Sequence, residues 1–565
     1  MKEQLGSDKE GVKILLDNLL SHGVRHVVLS PGSRNVPLLL AVLHEPRLKH
    51  YVVVDERSAA FFALGLAQWT GQTAVLVCTS GTALLNYAPA VAEAYYQRIP
   101  LLVVSADRPV AWVDQDDSQT IRQRGILQSY VKASYEVPGE VRDDEDRWYA
   151  NRTINEALLS AMRGRRGPVH LNMPMREPLY GTRQWPADYH TRTMQRVERV
   201  EMLPQDEKQL LQQRWASCPK IMVIAACCES DSRLQQALSD LGEQPNVVVL
   251  SETPANAGSG RQVRTIDRVL ATVSEEERDD YAPELLVTFG GPLISRHVKA
   301  FLRSHRPAEH WQINRSEQLV DTFQVLTRQI DMEPGAFLSD MVPAACASDY
   351  AARWQHKKEL AQQRHEAFAR QVPWCDWKAF SILLPTIPEG AALQLANSTP
   401  IRYHQLFETP QLSRVNANRG VSGIDGATST AVGAAVLNEG LTVMITGDLS
   451  FLYDSNALWN NYITTRFKLI VIRNGGGNIF RFIQGEKRVE ELDECFDLHR
   501  PIDLGGFAAL HGFAFFTASD EAGLTHSLPQ FWQEDSRPAL LEIDTTVCDS
   551  AVMLRAYFKA LSKEI

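Results

Sequence analysis

Short apolar runs rich in β-branched residues alternate along this chain with longer segments in which apolar and polar positions are mixed. In the first third of the chain, the apolar runs predict buried strands. These predicted strands are Val24–Ser30, Tyr51–Val54, Ala74–Cys78, Leu101–Ser105 and Gly167–Pro174. Most lead through a polar loop into a helical pattern, as at Val36–Leu43. This alternation is typical of a doubly wound parallel sheet.

The same alternation returns twice further along the chain. A second set of predicted strands comprises Lys220–Ala226, Asn246–Leu250 and Glu284–Phe289. A third set comprises Ala392–Ala396, Leu441–Thr446, Phe467–Ile472 and Ala539–Ile543. A chain of 565 residues is too long for one hydrophobic core. We therefore expect an α/β protein with three doubly wound parallel-sheet domains, at residues 1–180, 200–350 and 370–565.

The strands predicted at Leu441–Thr446 and Phe467–Ile472 are each followed by a polar ligand candidate. We expect them to be parallel neighbours, joined by a helix over Asp454–Thr465. Asp448 and Asn474 then lie at the carboxyl edge of the sheet, where such sheets bind ligands. Their oxygens suit Mg²⁺, and the glycines that follow Asn474 allow close approach to a diphosphate. A capped strand end with a glycine-rich turn is the plainer interpretation.

Polar loops also follow several other predicted strands. They include Ser30–Arg34, Asp55–Arg57, Thr79–Ala83, Ala106–Pro109, Asn397–Arg402 and Asn416–Gly426. Their arginines are forked cations that suit carboxylates, although each alone could be a surface residue. Arg34, Arg108, Arg402 and Arg419 together predict a substrate with more than one carboxylate. The acidic residues at Asp55-Glu56 could cap a helix or include a buried acid with a raised pKa.

The bulk properties exclude several classes of protein. A net charge of −10 and a pI near 5.9 argue against non-specific binding of nucleic acid. No apolar stretch approaches the length of a membrane span, and the N-terminus lacks the apolar core of a signal peptide. The eight cysteines include no Cys-x-x-Cys pair, so we expect reduced thiols. These features predict a cytoplasmic enzyme with neither a nucleic-acid nor a membrane partner.

Taken in chain order, the loops resemble those of the 2-succinyl-5-enolpyruvyl-6-hydroxy-3-cyclohexene-1-carboxylate synthases, a thiamine-diphosphate-dependent family of menaquinone biosynthesis. The resemblance spans nearly the whole chain and also includes Gln119–Gln123, Gly447–Ser450 and Asn478–Phe480. It implies a pyrimidine-binding, a central and a diphosphate-binding domain. It also implies thiamine diphosphate with Mg²⁺ or Mn²⁺, and a homo-oligomer, dimer or tetramer, whose active sites lie at the subunit interface.

The resemblance further implies a reaction and a role for each matching residue. The reaction is decarboxylation of 2-oxoglutarate, then conjugate addition of the succinyl-type carbanion to isochorismate. Glu56 matches the catalytic acid that hydrogen-bonds the aminopyrimidine ring of the cofactor. Asp448, Asn474 and the Gly476 carbonyl match the metal ligands. Further cofactor-binding positions are Ile424, Gly447, Leu449, Ser450, Asn478 and Ile479. The substrate positions are Ser33, Arg34, Arg108, Gln119, Arg296, Ser398, Arg402, Arg419 and Phe480.

Some positions depart from the family pattern, and two other functions stay open. Arg473 and Gly475 stand where asparagines are frequent, and Arg296-His297 stands where a Lys-Arg pair is common. We interpret His297 as a surface residue, while Arg296 could retain a positive charge near the substrate. Another thiamine-diphosphate decarboxylase or carboligase is one alternative, although a pyruvate site would need only one carboxylate partner. A cofactor-binding homologue without catalysis is the other.

Overall fold

The computed structural model describes residues 4–186, 188–197, 202–229, 231–258, 260–315, 318–342, 346–477 and 502–563. Its strands are β1 (Gln4–Ser7), β2 (His26–Leu29), β3 (Lys49–Val52), β4 (Ala74–Cys78), β5 (Leu101–Asp107), β6 (Ser134–Glu136), β7 (Val169–Pro174), β8 (Thr182–Trp185), β9 (Ile221–Ala225), β10 (Val247–Ser251), β11 (Leu285–Phe289), β12 (Glu309–Ile313), β13 (Leu326–Ile330), β14 (Ala392–Leu395), β15 (Arg414–Ala417), β16 (Thr442–Gly447), β17 (Phe467–Arg473), β18 (Ala514–Ala518) and β19 (Ala539–Asp544).

The α-helices of the described residues follow most of the predicted strands. They are α1 (Glu10–Ser21), α2 (Val36–Leu43), α3 (Glu56–Thr70), α4 (Thr82–Asn86), α5 (Ala88–Gln97), α6 (Asp144–Met162), α7 (Gln205–Ser217), α8 (Ser232–Gly242), α9 (Ile266–Leu270), α10 (Arg278–Tyr281), α11 (Arg296–Ser304), α12 (Pro334–Met341), α13 (Tyr350–Ala369), α14 (Asp376–Leu383), α15 (Thr399–His404), α16 (Ala427–Ala435), α17 (Asp448–Tyr453), α18 (Leu504–Leu510), α19 (Glu521–Gln533) and α20 (Ser550–Ser562).

Most of the strands form three sheets. The strand orders are β3-β2-β4-β5-β7-β6, β10-β9-β11-β12-β13 and β15-β14-β16-β17-β19-β18. The strand pairs whose registers are described in these sheets run parallel. In each sheet, the chain adds its second strand on one side of the first strand (β2, β9 or β14) and its later strands on the other side. Such a reversal creates a crevice at the carboxyl edge of the sheet. The predicted α/β class with doubly wound parallel sheets is confirmed.

The central strands are apolar because helices cover both faces of such sheets. Every residue of β4, β5, β9, β10 and β11 is buried. The described cysteines are free thiols, and Cys495 lies outside the described residues. Within the described ranges, no helix combines the length and the apolar character needed to cross a membrane.

The chain divides into two compact units. Met1–Glu198, Gly420–Thr442 and Leu452–Phe467 form one unit, which contains the first sheet. Arg199–Arg419, Val443–Phe451 and Lys468–Ile565 form the other, which contains the second sheet and nearly all of the third. The predicted boundaries of three domains stay a prediction.

The prediction of a helix over Asp454–Thr465 is wrong. The helix instead begins at Asp448, directly after β16, and ends at Tyr453, followed only by a 3₁₀ turn at Ser455–Leu458. The Asn460 side chain donates to the Ala457 carbonyl (2.7 Å) and accepts from the Tyr462 N–H (2.8 Å). Local bonds of this kind compete with helical hydrogen bonding, which disfavours a helix over the segment around Asn460.

Two helices of the first unit pack with their backbones in direct contact. A Cβ built on Gly65 of α3 would lie 2.1 Å from the Thr430 carbonyl oxygen. A Cβ built on Gly433 of α16 would lie 2.1 Å from the Phe62 carbonyl oxygen. Since α3 begins at Glu56 and α16 follows the loop that holds Ile424, this contact connects two predicted site segments.

Replacing Gly433 with alanine should destabilise the first unit. The added methyl group forces α3 and α16 apart, and overpacking of this kind costs roughly 1–3 kcal/mol of unfolding free energy. The denaturant midpoint followed by tryptophan fluorescence measures the loss. Gly440→Ala is the control, because that glycine is exposed and its Cβ would have only the Asn438 side chain nearby, at 3.4 Å. Equal midpoints for the two variants would contradict the importance of this contact.

Candidate active site

The Asp448 carboxylate connects the ends of two strands of the third sheet. Its Oδ2 accepts from the backbone N–H groups of Asn474 (3.1 Å), Gly475 (3.0 Å) and Gly476 (3.1 Å). Its Oδ1 accepts from the Leu449 N–H at 2.8 Å. Asp448 is only 2% exposed, and this burial raises its pKa, while the backbone hydrogen bonds oppose the rise. The predicted pair of Asp448 and Asn474 is therefore brought together.

A buried acid that sequence reasoning missed orients the Asn474 side chain. The Asn474 Nδ2 donates to the Asp376 Oδ2 at 2.8 Å, and the Thr545 hydroxyl donates to the Asp376 Oδ1 at 2.6 Å. Because the amide nitrogen faces Asp376, the amide oxygen points the other way. No local signal marks Asp376 in the sequence, since these partners are far away along the chain.

The residues of this turn fit a divalent metal ion and a diphosphate. Gly475, Gly476 and Gly477 have φ angles of 86°, 75° and 60°, which favour glycine. A Cβ built on Gly447 or Gly475 would meet nothing within 4 Å, so space lies open beside both. The Asp448 carboxylate, the Asn474 amide and the Gly476 carbonyl supply the hard oxygen atoms that Mg²⁺ prefers.

The structure describes some of the remaining predicted cofactor positions but not all of them. Leu449 is half-buried and Ser450 is buried in the first turn of α17. Arg473, which departs from the family pattern, pairs with Glu542 (2.6 Å) and Asp544 on the neighbouring strand β19. Two carboxylates therefore compensate its charge. The predicted residues Asn478, Ile479 and Phe480 lie outside the described residues.

In the first unit, the residues around Glu56 are held in place from both sides. The helix cap is Asp55, whose Oδ1 accepts from the Ser58 N–H (2.9 Å) and whose Oδ2 accepts from the Asn456 Nδ2 (2.6 Å). Arg57 donates to the Tyr453 carbonyl at 2.5 Å. Burial raises the pKa of Glu56, with the Asp55 charge adding to the rise and a backbone hydrogen bond opposing it. Glu56 is thus the partly buried acid, and Asp55 is the cap.

The loop that carries Ile424 is held by Glu93, a second residue that sequence reasoning missed. The Glu93 carboxylate accepts from the N–H groups of Gly420 (2.6 Å), Val421 (2.6 Å) and Ser422 (3.2 Å). Glu93 lies within α5, far from this loop in sequence, so no local sequence motif indicates the contact. Ile424 itself is half-buried.

The predicted substrate arginines of the first unit have acidic partners. Arg34 is 4% exposed, and it donates to the Met175 carbonyl (3.3 Å) and to Glu177 (3.2 Å). Arg108 pairs with Asp117 at 2.9 Å. A substrate carboxylate at either arginine must therefore compete with these acids. Ser33, beside Arg34, is exposed.

The loop after β5 contacts the loop after β4. Gln119 has a left-handed φ of 56° and donates to the Ser80 carbonyl at 3.0 Å. Gln123, which sequence reasoning did not single out, accepts from the Gly81 N–H at 2.8 Å and donates to the Asn172 Oδ1 at 3.0 Å. These bonds position the polar loops at the carboxyl edge of the first sheet.

In the second unit, the remaining predicted arginines lie near one another. Arg402 donates to the Ser398 carbonyl at 2.6 Å, and Arg419 donates to the Asn397 Oδ1 at 2.9 Å. Burial, followed by the positive charges of Arg419 and Arg296, lowers the pKa of Arg402 to about 10. Ser398 has a φ of 75°, a strained value for a residue with a side chain. Partly buried like charges held together favour the binding of an anion.

His297 fits the interpretation as a surface residue. Its ring packs edge-on against Phe558 with the centroids 4.8 Å apart, and its Nδ1 lies 3.7 Å from the Asp267 carboxylate. Its side chain is half-exposed. Among the predicted residues of the α11 start, Arg296 is therefore the one associated with the arginine group.

Comparison with known proteins gives the class first. Residues 9–126 match the family described as "Thiamine pyrophosphate enzyme, N-terminal TPP binding domain". With the three doubly wound sheets and the glycine turn at Asp448, this match places the chain among the thiamine-diphosphate enzymes.

Curated relatives then give the family within that class. Three similar relatives are each named 2-succinyl-5-enolpyruvyl-6-hydroxy-3-cyclohexene-1-carboxylate synthase. The Porphyromonas gingivalis protein is 44% identical, with 99% of this chain and 98% of the relative covered. The Flavobacterium johnsoniae protein is 37% identical (96% and 97% covered) and the Bacteroides fragilis protein 36% (98% and 99% covered). The chain belongs to this synthase family, which confirms the resemblance.

Replacing Asp448 with asparagine should weaken cofactor binding. An amide cannot accept all the backbone hydrogen bonds that the carboxylate accepts, and it removes a negative charge from the proposed metal site. We expect the affinity for thiamine diphosphate in the presence of Mg²⁺ to fall by about 10–100-fold, measured by tryptophan fluorescence titration. Asp520→Asn, an exposed helix cap on α19, is the control. Unchanged affinity in Asp448→Asn would remove Asp448 from the site.

Proposed function

We propose that this protein decarboxylates 2-oxoglutarate and adds the remaining succinyl-type unit to isochorismate. The products are 2-succinyl-5-enolpyruvyl-6-hydroxy-3-cyclohexene-1-carboxylate and CO₂, a step of menaquinone biosynthesis. The observation that carries the proposal is the close grouping of Arg296, Arg402 and Arg419 in the unit that also contains the Asp448 turn. The names of the relatives support the same reaction.

The proposed roles of the residues follow from their chemistry. Thiamine diphosphate, when bound, supplies the nucleophilic carbon and the electron sink. Asp448, Asn474 and the Gly476 carbonyl would hold Mg²⁺ or Mn²⁺, whose charge would help to bind the diphosphate. Glu56 exchanges a proton with the aminopyrimidine ring, a task favoured by its raised pKa.

The group of arginines favours dicarboxylate substrates over pyruvate. Both 2-oxoglutarate and isochorismate carry two carboxylates, and arginine binds each through paired hydrogen bonds. A pyruvate enzyme needs one such partner followed by apolar space. The grouped charges of Arg296, Arg402 and Arg419 would be costly in an apolar pocket, because like charges repel strongly where water is excluded.

We further infer a homo-oligomer with active sites at the subunit interface. Large apolar side chains are exposed next to the predicted site loops of the first unit, among them Val54, Val110, Trp112 and Val421. Exposed apolar residues beside polar loops are typical of a surface that another subunit covers. Light scattering of the purified protein with its cofactor measures the mass, and a monomer would contradict the inference.

Mass spectrometry of the reaction tests the proposed function. One tube contains the protein, thiamine diphosphate, Mg²⁺, 2-oxoglutarate and isochorismate, and a parallel tube contains pyruvate in place of 2-oxoglutarate. We expect the adduct of isochorismate with the succinyl-type unit only in the first tube. Release of CO₂ without this adduct would exclude isochorismate as the acceptor. Absence of turnover in both tubes would favour a homologue without catalysis.

Replacing Glu56 with glutamine should slow turnover strongly. The amide is a far weaker acid and base than the carboxyl group, so we expect kcat to fall by on the order of 100-fold. Glu156→Gln, on the exposed surface of α6 in the same unit, is the matched control. Near-normal turnover in Glu56→Gln would be incompatible with the role assigned to Glu56.

Replacing Arg402 with alanine should weaken the binding of a substrate rather than of the cofactor. We expect the Michaelis constant for one dicarboxylate to rise by roughly 10–100-fold, the loss of a charge-assisted hydrogen-bond pair. Arg306→Ala, at an exposed position of the same unit, is the control. An equal loss of affinity for thiamine diphosphate would place Arg402 outside the substrate site.

A further inference from the structure

A loop that precedes α11 is held by opposite charges on its two sides. Glu252 follows β10 directly, and its carboxylate accepts from the Ile294 N–H (2.8 and 2.9 Å to its two oxygens) and from the Ser295 N–H (2.7 Å). Lys299 lies one turn inside α11, and its Nζ donates to the Leu293 carbonyl at 3.0 Å. The loop Leu293–Ser295 therefore has its N–H groups bound to an anion and a carbonyl bound to a cation.

This loop determines where Arg296 stands. Arg296 is the first residue of α11, and Ser295 is the cap whose hydroxyl accepts from the Val298 N–H at 3.0 Å. The Ser295 hydroxyl also donates to the Asp267 carboxylate. Because the cap residue is fixed by Glu252, Val298 and Asp267 at once, the backbone from which the Arg296 side chain projects has little freedom.

The loop also lies beside the other cations of the second unit. The charge of Glu252 interacts with those of Arg419 and Lys299, and Lys299 in turn interacts with Arg296. Four cations, namely Arg296, Lys299, Arg402 and Arg419, thus have Glu252 and Asp267 as nearby carboxylates. An excess of positive charge that is partly buried favours an anionic ligand.

The burial of Glu252 is unusual for a residue with a purely local role. Glu252 is 2% exposed, and burial raises its pKa to about 7, against the effect of the Ser295 and Ile294 hydrogen bonds and the Arg419 charge. The hydrogen bonds described for Glu252 are made to the loop Leu293–Ser295. Arg402 and Arg419 instead donate to neutral oxygens.

We propose that Glu252 is a positioning residue of the carboxylate-binding site. With Lys299, it holds the loop Leu293–Ser295 so that Arg296 joins Arg402 and Arg419 in binding a substrate carboxylate. The proposal rests on the proposed function in one respect, that the substrates are dicarboxylates. Glu252 itself does not contact the substrate; it acts through Arg296.

The first test compares Glu252→Gln with the intact protein. Glutamine keeps the size of the side chain but directs an N–H₂ group at backbone N–H groups, which displaces the loop. We expect the Michaelis constant for 2-oxoglutarate, isochorismate or both to rise about tenfold, because small displacements of binding groups are costly. Thiamine diphosphate affinity should stay within about twofold, since a local loop displacement does not reach the Asp448 turn. Unchanged Michaelis constants for both substrates would overturn the proposal.

Glu277→Gln is the matched control in the same unit. It removes a carboxylate that accepts from Lys357 at 2.7 and 2.9 Å, in a different cluster from Arg296, Arg402 and Arg419. We expect this variant to lose some stability and to keep both Michaelis constants. A similar rise in the Michaelis constants of both variants would show that Glu252→Gln acts through general destabilisation, and would also overturn the proposal.

A double-mutant cycle tests whether Glu252 acts through Arg296. Arg296→Ala should raise the same Michaelis constant, and adding Glu252→Gln to it should have little further effect. Additive effects of the two substitutions would contradict the coupling and the proposal with it.

Direct binding separates a failure of this proposal from a failure of the proposed function. Calorimetric titration with 2-oxoglutarate requires no turnover, so it is informative even if no adduct forms in the reaction. Weaker binding by about tenfold in Glu252→Gln, but not in Glu277→Gln, would support the positioning role. Equal binding of 2-oxoglutarate and, in a second titration, of isochorismate by Glu252→Gln and the intact protein would refute the positioning role alone. No binding of either dicarboxylate by the intact protein would refute the proposed function, and the positioning role with it.

Discussion

The hydrogen bonds from the Asn474–Gly476 turn to the Asp448 carboxylate are the constraint on which the proposed cofactor site depends. They join the ends of β16 and β17, two neighbouring strands, through a side chain that is almost completely buried. Asp376 then sets the orientation of the Asn474 amide. Because one carboxylate organises both strand ends, the oxygen atoms for a metal ion and the open space beside Gly475 occur at one place.

The proposed substrate region differs from the Asp448 turn, because it contains both arginine or lysine side chains and carboxylates. There the cations outnumber the carboxylates, and the hydrogen bonds described for Glu252 and Asp267 come from backbone N–H groups and a serine hydroxyl. Glu252 holds the loop before α11, while Asp267 accepts from Ser295. Arg402 and Arg419 are positioned by a carbonyl and an amide oxygen. These oxygens hold the two cations in place, with the Glu252 and Asp267 carboxylates nearby. Four cations against two carboxylates leave an excess of positive charge, which suits the binding of a dicarboxylate.

The sequence predicted the buried strands well because burial on both faces requires a continuous apolar run. Strand β4 and helix α2 have the predicted bounds. Edge strands such as β13 and β18 were missed, because several of their positions are exposed or half-exposed and leave no such run. The helix predicted over Asp454–Thr465 is absent; the Asn460 side chain bonds locally to the backbone there, and apolar periodicity does not reveal such bonds.

For the candidate site, local motifs predicted the strand-end residues but not the residues that hold them. Asp448 and Asn474 stand next to recognisable strands and glycines. Asp376, Glu93 and Glu252 were missed, because each makes its contacts with residues far along the chain. Such partners become visible only once the topology of the sheets brings their loops together.

A crystal structure with thiamine diphosphate and Mn²⁺, recorded at a wavelength where manganese scatters anomalously, tests the central claim most directly. The account predicts one strong anomalous peak at about 2.1–2.3 Å from an Asp448 carboxylate oxygen, the Asn474 amide oxygen and the Gly476 carbonyl oxygen. A manganese peak bound by other residues, or bound cofactor with its diphosphate away from this turn, would contradict it.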